Sequence, residues 1–283
     1  MDLSSRASKM RLLGILIIAS VLLVSPLLGN VYAIVNGQPD GNAHPYVCMV
    51  AVYDADGHYL WRGSGTLISS RVVLTAGHVT YGATYAAVWF DSSLGNNMDY
   101  KADFGWPSGI QGIPHTDPDF CMGCKGGLPG FLTHDVGVVV LDDSIKGKDF
   151  GTLPTVGLVD TLPMKTKVDI VGYGVQTLPR GGGPPMWIGE RTRYVATGEL
   201  ITANFVQSDE FIRLTGNPAK DKGATTFGDS GGPTFLAGTK IILAVTSYGP
   251  NYICSSVSYN YRVDLADVQD WITEITPGDG GND

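Results

Sequence analysis

From Ile34 onward the apolar positions of the chain fall in short runs rich in β-branched and aromatic residues. Tyr46 to Tyr53, Tyr59 to Ile68, Val72 to Thr75, Tyr85 to Phe90 and Val136 to Leu141 read as strands separated by Gly, Asp, Asn and Ser. A second set follows at Lys167 to Tyr173, Arg193 to Ile201, Glu210 to Leu214, Ile241 to Tyr248 and Asn260 to Val263. No long amphipathic helix interrupts them, so the pattern predicts an all-β antiparallel sandwich or barrel rather than alternating βα units. One helix is predicted, Asp264 to Ile275, with Asp264 as its N-cap. Leu265, Val268, Trp271, Ile272 and Ile275 recur at helical spacing, and this face is expected to pack on the second half of the chain. Between Asp91 and Gly130 the composition turns to Gly, Pro, Asp and Asn, the signature of a long surface excursion. Asp143 to Pro154 is the expected link between the halves, Gln176 to Pro185 a mobile loop, and 277–283 a frayed tail.

The N-terminus departs from this pattern. Arg6, Lys9 and Arg11 precede an almost unbroken apolar run from Leu12 to Leu28, and Val31-Tyr32-Ala33 ends it on small residues. These features describe a secretory signal peptide over residues 1–33. About 17 apolar residues are near the lower limit for a membrane span, so an uncleaved anchor is the alternative, which Pro26 and the Val-x-Ala ending disfavour. Removing residues 1–33 takes away Asp2 and three basic residues, leaving 16 basic against 26 acidic residues and a formal charge of −10. Such a surface argues against nucleic acid or anionic lipid as partner.

Composition adds two limits. With 43% hydrophobic residues the chain can build a sizeable core. Its four cysteines, Cys48, Cys121, Cys124 and Cys254, are few for a secreted protein, so the core rather than a disulfide framework must carry stability. Cys121-x-x-Cys124 fits a local disulfide or half of a metal site, and neither a second pair nor a nearby His pattern supports the metal. Cys48 lies in an apolar strand and reads as a buried small residue. Acidic residues between Asp91 and Asp103 lack a recognisable calcium-loop spacing.

Candidate chemistry centres on Gly228-Asp229-Ser230-Gly231-Gly232-Pro233. Glycine permits the tight turns in which successive N–H groups converge on one point, so Ser230 suits a nucleophile with the N–H groups of Gly228 and Ser230 holding an oxyanion. An ordinary surface turn uses the same residue types. A serine nucleophile needs a base, and among five histidines His78 stands out, because Val72-Val73-Leu74-Thr75-Ala76-Gly77 delivers it from an apolar strand into a turn. His44, His58, His115 and His134 lie in polar or Pro-bearing stretches and read as solvated. Asp135, at the start of an apolar strand, suits the carboxylate that orients the base.

Taken in order, Ile34-Val35-Asn36-Gly37, Leu74 to His78, Asp135-Val136-Gly137-Val138-Val139, Gly172-Tyr173-Gly174, Gly228 to Pro233, Ser247-Tyr248-Gly249 and the terminal helix with Trp271 resemble trypsin- and chymotrypsin-like serine endopeptidases. The resemblance runs from about Ile34 to Ile275. It implies two six-stranded antiparallel β-barrels and a C-terminal helix, with the first barrel in residues 34–150 and the second barrel and helix in 151–276. It also implies a Ser230–His78–Asp135 triad, an oxyanion hole at Gly228 and Ser230, and no cofactor or metal. Ser247 should lie near Asp135, and the backbone of Ser247 to Gly249 should pair with an extended substrate. The expected partners are a peptide or protein substrate and protein protease inhibitors, for a secreted monomer with no membrane attachment after signal cleavage.

In that family a freed N-terminal amine enters the protein and pairs with the Asp preceding the nucleophile. Here the pair would be Ile34 and Asp229, and Ile34 directly follows the signal-peptidase site, so secretion itself would produce the active N-terminus. The sequence departs from the family pattern in several places. The cysteine pair beside the catalytic His is replaced by Gly63 and Val79, and Thr226 stands where the first cysteine of the disulfide beside the specificity pocket should be, leaving Cys254 free or paired elsewhere. The pocket floor is Ala224 rather than Asp, which gives no countercharge for Arg or Lys. Thr225, Phe227 and Tyr259 complete the expected substrate wall, Tyr259 shortening the pocket towards small or medium apolar residues. A catalytically silent binding protein on the same fold is the alternative, and a hydrolase of non-peptide esters a weaker one.

Overall fold

The computed structural model describes residues 34, 37–95, 99–105, 107–124, 132–175, 191–202, 209–216, 223, 225–249 and 256–276. The predicted signal peptide and tail, the Gln176–Pro185 loop, Ala224 and Cys254 lie outside these residues.

The first half closes into a barrel. Its strands are β2 (Val47–Tyr53), β3 (Tyr59–Leu67), β4 (Val72–Thr75), β5 (Tyr85–Trp89), β6 (Ile110–Thr116) and β9 (Gly137–Leu141), in the spatial order β2-β3-β4-β9-β6-β5, with every ladder antiparallel. Val47 to Tyr53 is buried throughout, which explains why it reads as a continuous apolar run. Five of the six strands match predicted runs. The sixth, β6, lies inside the stretch expected to be a surface excursion, where Pro114 masks it. Pairing with β5 ends at Gly112, so Pro114 is flanked by β9 alone, where a residue without an N–H is tolerated. The same stretch carries β7 (Cys121–Met122), paired with β8 (Leu132–Thr133).

The second half repeats the architecture. β10 (Lys167–Gly172), β11 (Tyr194–Thr202), β12 (Phe211–Gly216), β13 (Pro233–Leu236), β14 (Ile242–Tyr248) and β15 (Ser256–Arg262) run in the order β11-β10-β13-β14-β15-β12, and pairing of β11 with β12 closes the barrel. The pattern misses β13 because it starts directly from the Gly-Gly-Pro turn, Pro233 taking the first strand position that proline accepts. It also starts the last strand late, since polar Ser256 and Ser258 hide the first half of β15. A short β1 (Gln38–Pro39) adds to β11, so the N-terminal segment runs on the second barrel, and Ile34 packs there among Val159, Val168 and Ile170.

Three helices complete the described chain: α1 (Gly77–Thr80), α2 (Leu158–Thr161) and α3 (Ala266–Ile275). Val268 and Ile272 are buried, and Leu265, Trp271 and Ile275 pack beside them on a cluster that includes Tyr261 and Val263. The predicted N-cap is corrected. Leu265 occupies the cap and makes no side-chain bond to it, while the Asp264 carboxylate accepts Nε of buried Arg262 at 2.8 Å and the N–H of Val159 at 2.7 Å. A buried guanidinium must be neutralised, and that need outweighs a cap. Cys121 and Cys124 form a disulfide, and Cys48 is buried and free.

Candidate active site

β4 is short and wholly buried, and Ala76 turns it into α1, so His78 emerges at a fixed height above the first barrel. Asp135 lies just before β9, the neighbour of β4, and is fully buried. The two residues meet twice. The main-chain N–H of His78 donates to Oδ1 of Asp135 at 2.7 Å, and Nδ1 of the imidazole lies 2.9 Å from Oδ2. The hydroxyl of Ser247 in β14 donates to the same Oδ2, so the second barrel also grips the carboxylate. Burial pushes Asp135 upward, but the charge and hydrogen bonds of His78 and the bond from Ser247 outweigh it and hold the carboxyl below its ordinary range. For His78 burial acts downward, and the charge and hydrogen bond of Asp135 reverse it, raising the imidazole pKa. The imidazole is 20% exposed, enough to meet a substrate.

Ser230 comes from the second barrel and is clamped to the first. Its carbonyl accepts the N–H of Ser64 in β3 at 2.8 Å, and the N–H of Gly231 donates to Thr246 at 2.8 Å. A Cβ on Gly63 would lie 2.6 Å from the Ser230 carbonyl oxygen and 2.9 Å from a methyl of Val79, the residue after His78. Gly63 thus separates the serine turn from the histidine turn by one backbone thickness. Trp61 fastens the same strand to α1, its Nε1 donating to the Val79 carbonyl at 2.9 Å.

Around Asp229 the backbone itself forms a cage. The carboxylate is fully buried and accepts the N–H of Gly174 at 2.8 Å, the N–H of Thr226 at 2.7 Å and the Thr226 hydroxyl at 3.0 Å. A Cβ on Gly174 would lie 2.6 Å from the carboxyl carbon, so only glycine allows this approach. In the full-length chain the nitrogen of Ile34 is a peptide nitrogen, and no ion pair reaches Asp229 among the described residues. Burial therefore pushes its pKa up to about 6, despite the hydrogen bonds from Thr226 and Gly174 and the charge of Arg62. Gly228 has φ +96°, and the preceding carbonyl of Phe227 accepts the Val175 N–H at 2.9 Å. Because a trans peptide sets its N–H opposite its C=O, the Gly228 N–H points away from Val175.

Beside Ser247 the second barrel carries an aromatic group. Tyr248 and Tyr259 stack with centroids 4.8 Å apart, and Phe211 meets Tyr248 edge-on at 5.7 Å. Thr225 and Thr226 are buried, whereas Phe227 is exposed. β14 pairs with β13 only up to Val245, so Ser247 to Gly249 continue past the end of that ladder.

A sequence model of the trypsin family matches residues 34–272. The chain belongs to the trypsin family. Its members are serine endopeptidases, and this chain is a trypsin-like serine protease whose partner class is a peptide or protein substrate. No curated sequence matches it significantly. Among solved structures, it is similar to HL collagenase at 16% identity, covering 88% of this chain and 97% of that one with a TM-score of 0.60. Human heparin binding protein is similar at 19% identity, covering 88% and 100%, TM-score 0.57. At these identities the likeness concerns the fold, and both barrels are included in it.

Three residues of this trypsin-family site, Ser64, Arg62 and Arg193, escape sequence reasoning, and all three bind Tyr173 of the Gly172-Tyr173-Gly174 motif. Ser64 donates to the Gly228 carbonyl at 2.8 Å and accepts the Tyr173 N–H at 3.0 Å, linking the serine turn to the Asp229 cage. Arg62 donates to the Tyr173 carbonyl at 2.7 Å beside Gly228. Arg193 and the ring of Tyr173 lie behind them. Polar residues in or beside apolar strands signal only that something buried must receive them, not what. His44, expected as solvated, is instead tucked against Asp40 at 2.5 Å and stacked on Phe235, because the Asp40 charge is buried there.

Asp117, Asp119 and His134 bring ligand atoms within 4.8 Å of one another, although Oδ1 of Asp117 already accepts the Asp119 N–H at 2.9 Å. In the Asp91 to Asp103 stretch, Asp99 accepts from Ser108 and Asp103 pairs with His58. Among the described residues no helix is long and apolar enough to cross a membrane.

Proposed function

We propose that this protease is secreted, that signal peptidase makes its active N-terminus at Ile34, and that Ser230, His78 and Asp135 form the catalytic triad. Ser230 Oγ attacks the scissile carbonyl as its proton passes to Nε2 of His78. The tetrahedral oxyanion is held by the N–H groups of Gly228 and Ser230. Imidazolium then protonates the leaving amine, and water, deprotonated by the same His78, cleaves the acyl-enzyme. Asp135 fixes the tautomer that leaves Nε2 free to accept, and it stabilises the imidazolium. The observation that carries this reading is the His78–Asp135–Ser247 hydrogen-bonded chain, with the serine turn clamped to β3 and Gly63 wedged between the Ser230 carbonyl and Val79.

The substrate lies extended along Ser247 to Gly249, adding a strand where β14 runs past its ladder with β13. The Tyr248–Tyr259 stack and the absence of a carboxylate at position 224 favour a small or medium apolar residue before the scissile bond. Protein protease inhibitors would enter the same cleft, and the enzyme acts as a monomer without cofactor. A peptide library incubated with the chain beginning at Ile34 tests the reading. Cleavage after apolar residues, lost in Ser230→Ala, supports it, and cleavage confined to Arg or Lys contradicts the pocket assignment.

A further inference from the structure

Arg193 immediately precedes β11, and its side chain is fully buried. Nε donates to Oδ2 of Asp40 at 2.7 Å and Nη2 to the Gly41 carbonyl at 3.0 Å, six and seven residues beyond Ile34. Nη1 reaches the carbonyls of Val47 and Phe90 in the first barrel and the hydroxyl of Tyr173, each at 3.0 Å. That hydroxyl donates to the Asp91 carbonyl at 2.7 Å. The main chain joins in: the Asp40 N–H donates to the Arg193 carbonyl at 2.9 Å, and the Arg193 N–H to Ser92 at 2.7 Å. Tyr173 is the residue before Gly174, whose N–H holds Asp229.

One guanidinium therefore grips the segment that carries Ile34 and the segment that cages Asp229. A planar fork can serve acceptors from several directions at once, which a lysine ammonium at the end of a flexible stem cannot do with the same geometry. Asp40 completes the unit, with its second oxygen 2.5 Å from Nδ1 of His44. We infer that Arg193 is a positioning residue for activation, setting the register between the N-terminal segment and the Asp229 cage so that the freed Ile34 amine meets its carboxylate. The inference rests on the activation reading above. It concerns neither the reacting atoms nor the substrate pocket.

The test uses chains beginning at Ile34 and carrying Arg193→Lys, Asp40→Asn, or Asp40→Leu with Arg193→Met, the last leaving no buried charge unpaired. Turnover is measured where circular dichroism shows each variant folded. The expected result is a kcat lowered about tenfold with KM little changed. The alkaline midpoint of activity should also fall back towards the ordinary α-amine value of about 8, because a poorly seated amine loses the carboxylate that raises its pKa. The charged group that acts on the carboxylate meant to receive that amine is Arg62. A lowered melting temperature with wild-type kcat and midpoint, in the double variant above all, would overturn the inference and leave Arg193 a structural staple. A wild-type chain with one extra residue before Ile34 separates the two readings. If it is inactive while the Arg193 variants keep full kcat, only the inference fails; if it is fully active, the activation reading fails and takes the inference with it.

Discussion

Blocking the amine of Ile34 with one added residue should destabilise this protease at neutral pH by an amount set by the surroundings of Asp229. With Ile34 still acylated, that buried carboxyl titrates at about 6 instead of 3.8, mainly through burial. The difference corresponds to roughly 3 kcal/mol against the ionised form. The folded chain then holds a proton that the unfolded chain releases, so the penalty is absent below about pH 4, grows between about pH 4 and 6, and is complete above. A free ammonium at Ile34 relieves it by pairing, until the pH passes the amine's own raised pKa, above about 8. The chain beginning at Ile34 should therefore be more stable than one beginning at Ala33 by roughly 3 kcal/mol at pH 7, which for a domain of this size is about 6–12 °C in melting temperature. Both chains carry Ser230→Ala so that self-cleavage does not blur the melts. The two melting temperatures should converge at pH 4 and again well into the alkaline range. Equal values at pH 7, or a gap that persists at pH 4, would refute the pairing.

Two substitutions probe the same framework. Gly174→Ala drives a Cβ to 2.6 Å from the Asp229 carboxyl carbon, so urea melts should show a loss of about 1–3 kcal/mol, with turnover falling alongside; wild-type stability and turnover would mean that the cage is not close-fitting. Ser247→Ala removes one donor from buried Asp135 and leaves both contacts from His78. A bond to a charged group contributes about 1.5–3 kcal/mol, so steady-state assays should show kcat reduced tenfold or more with KM held, and an unchanged kcat would show that Ser247 does not support the carboxylate.

The strands legible in the sequence are those whose burial is written in β-branched residues, such as Val47 to Tyr53 and Val136 to Leu141. β6 and β13 are hidden by their prolines: Pro114 is tolerated because pairing with β5 has already ended there, a property of the closed sheet, and Pro233 because it takes the first position of its own strand. The serine and histidine turns are legible because each is a run of a few characteristic residue types close together in sequence. Arg193 and Ser64 are not, since their partners lie far along the chain and meet them only once both barrels have closed. Asp264 shows the reverse error. Local preference made it a cap, and the buried charge of Arg262 claimed it instead.

The central claim is that Ser230 is a nucleophile activated by His78, and a fluorophosphonate tests it directly. The chain beginning at Ile34 should gain one covalent phosphonyl group, located on Ser230 by peptide mass spectrometry, with labelling abolished in Ser230→Ala and slowed at least a hundredfold in His78→Ala, the lower end of what a general base contributes. Folded, correctly processed protein that takes up no label, or takes it up elsewhere, would contradict the account.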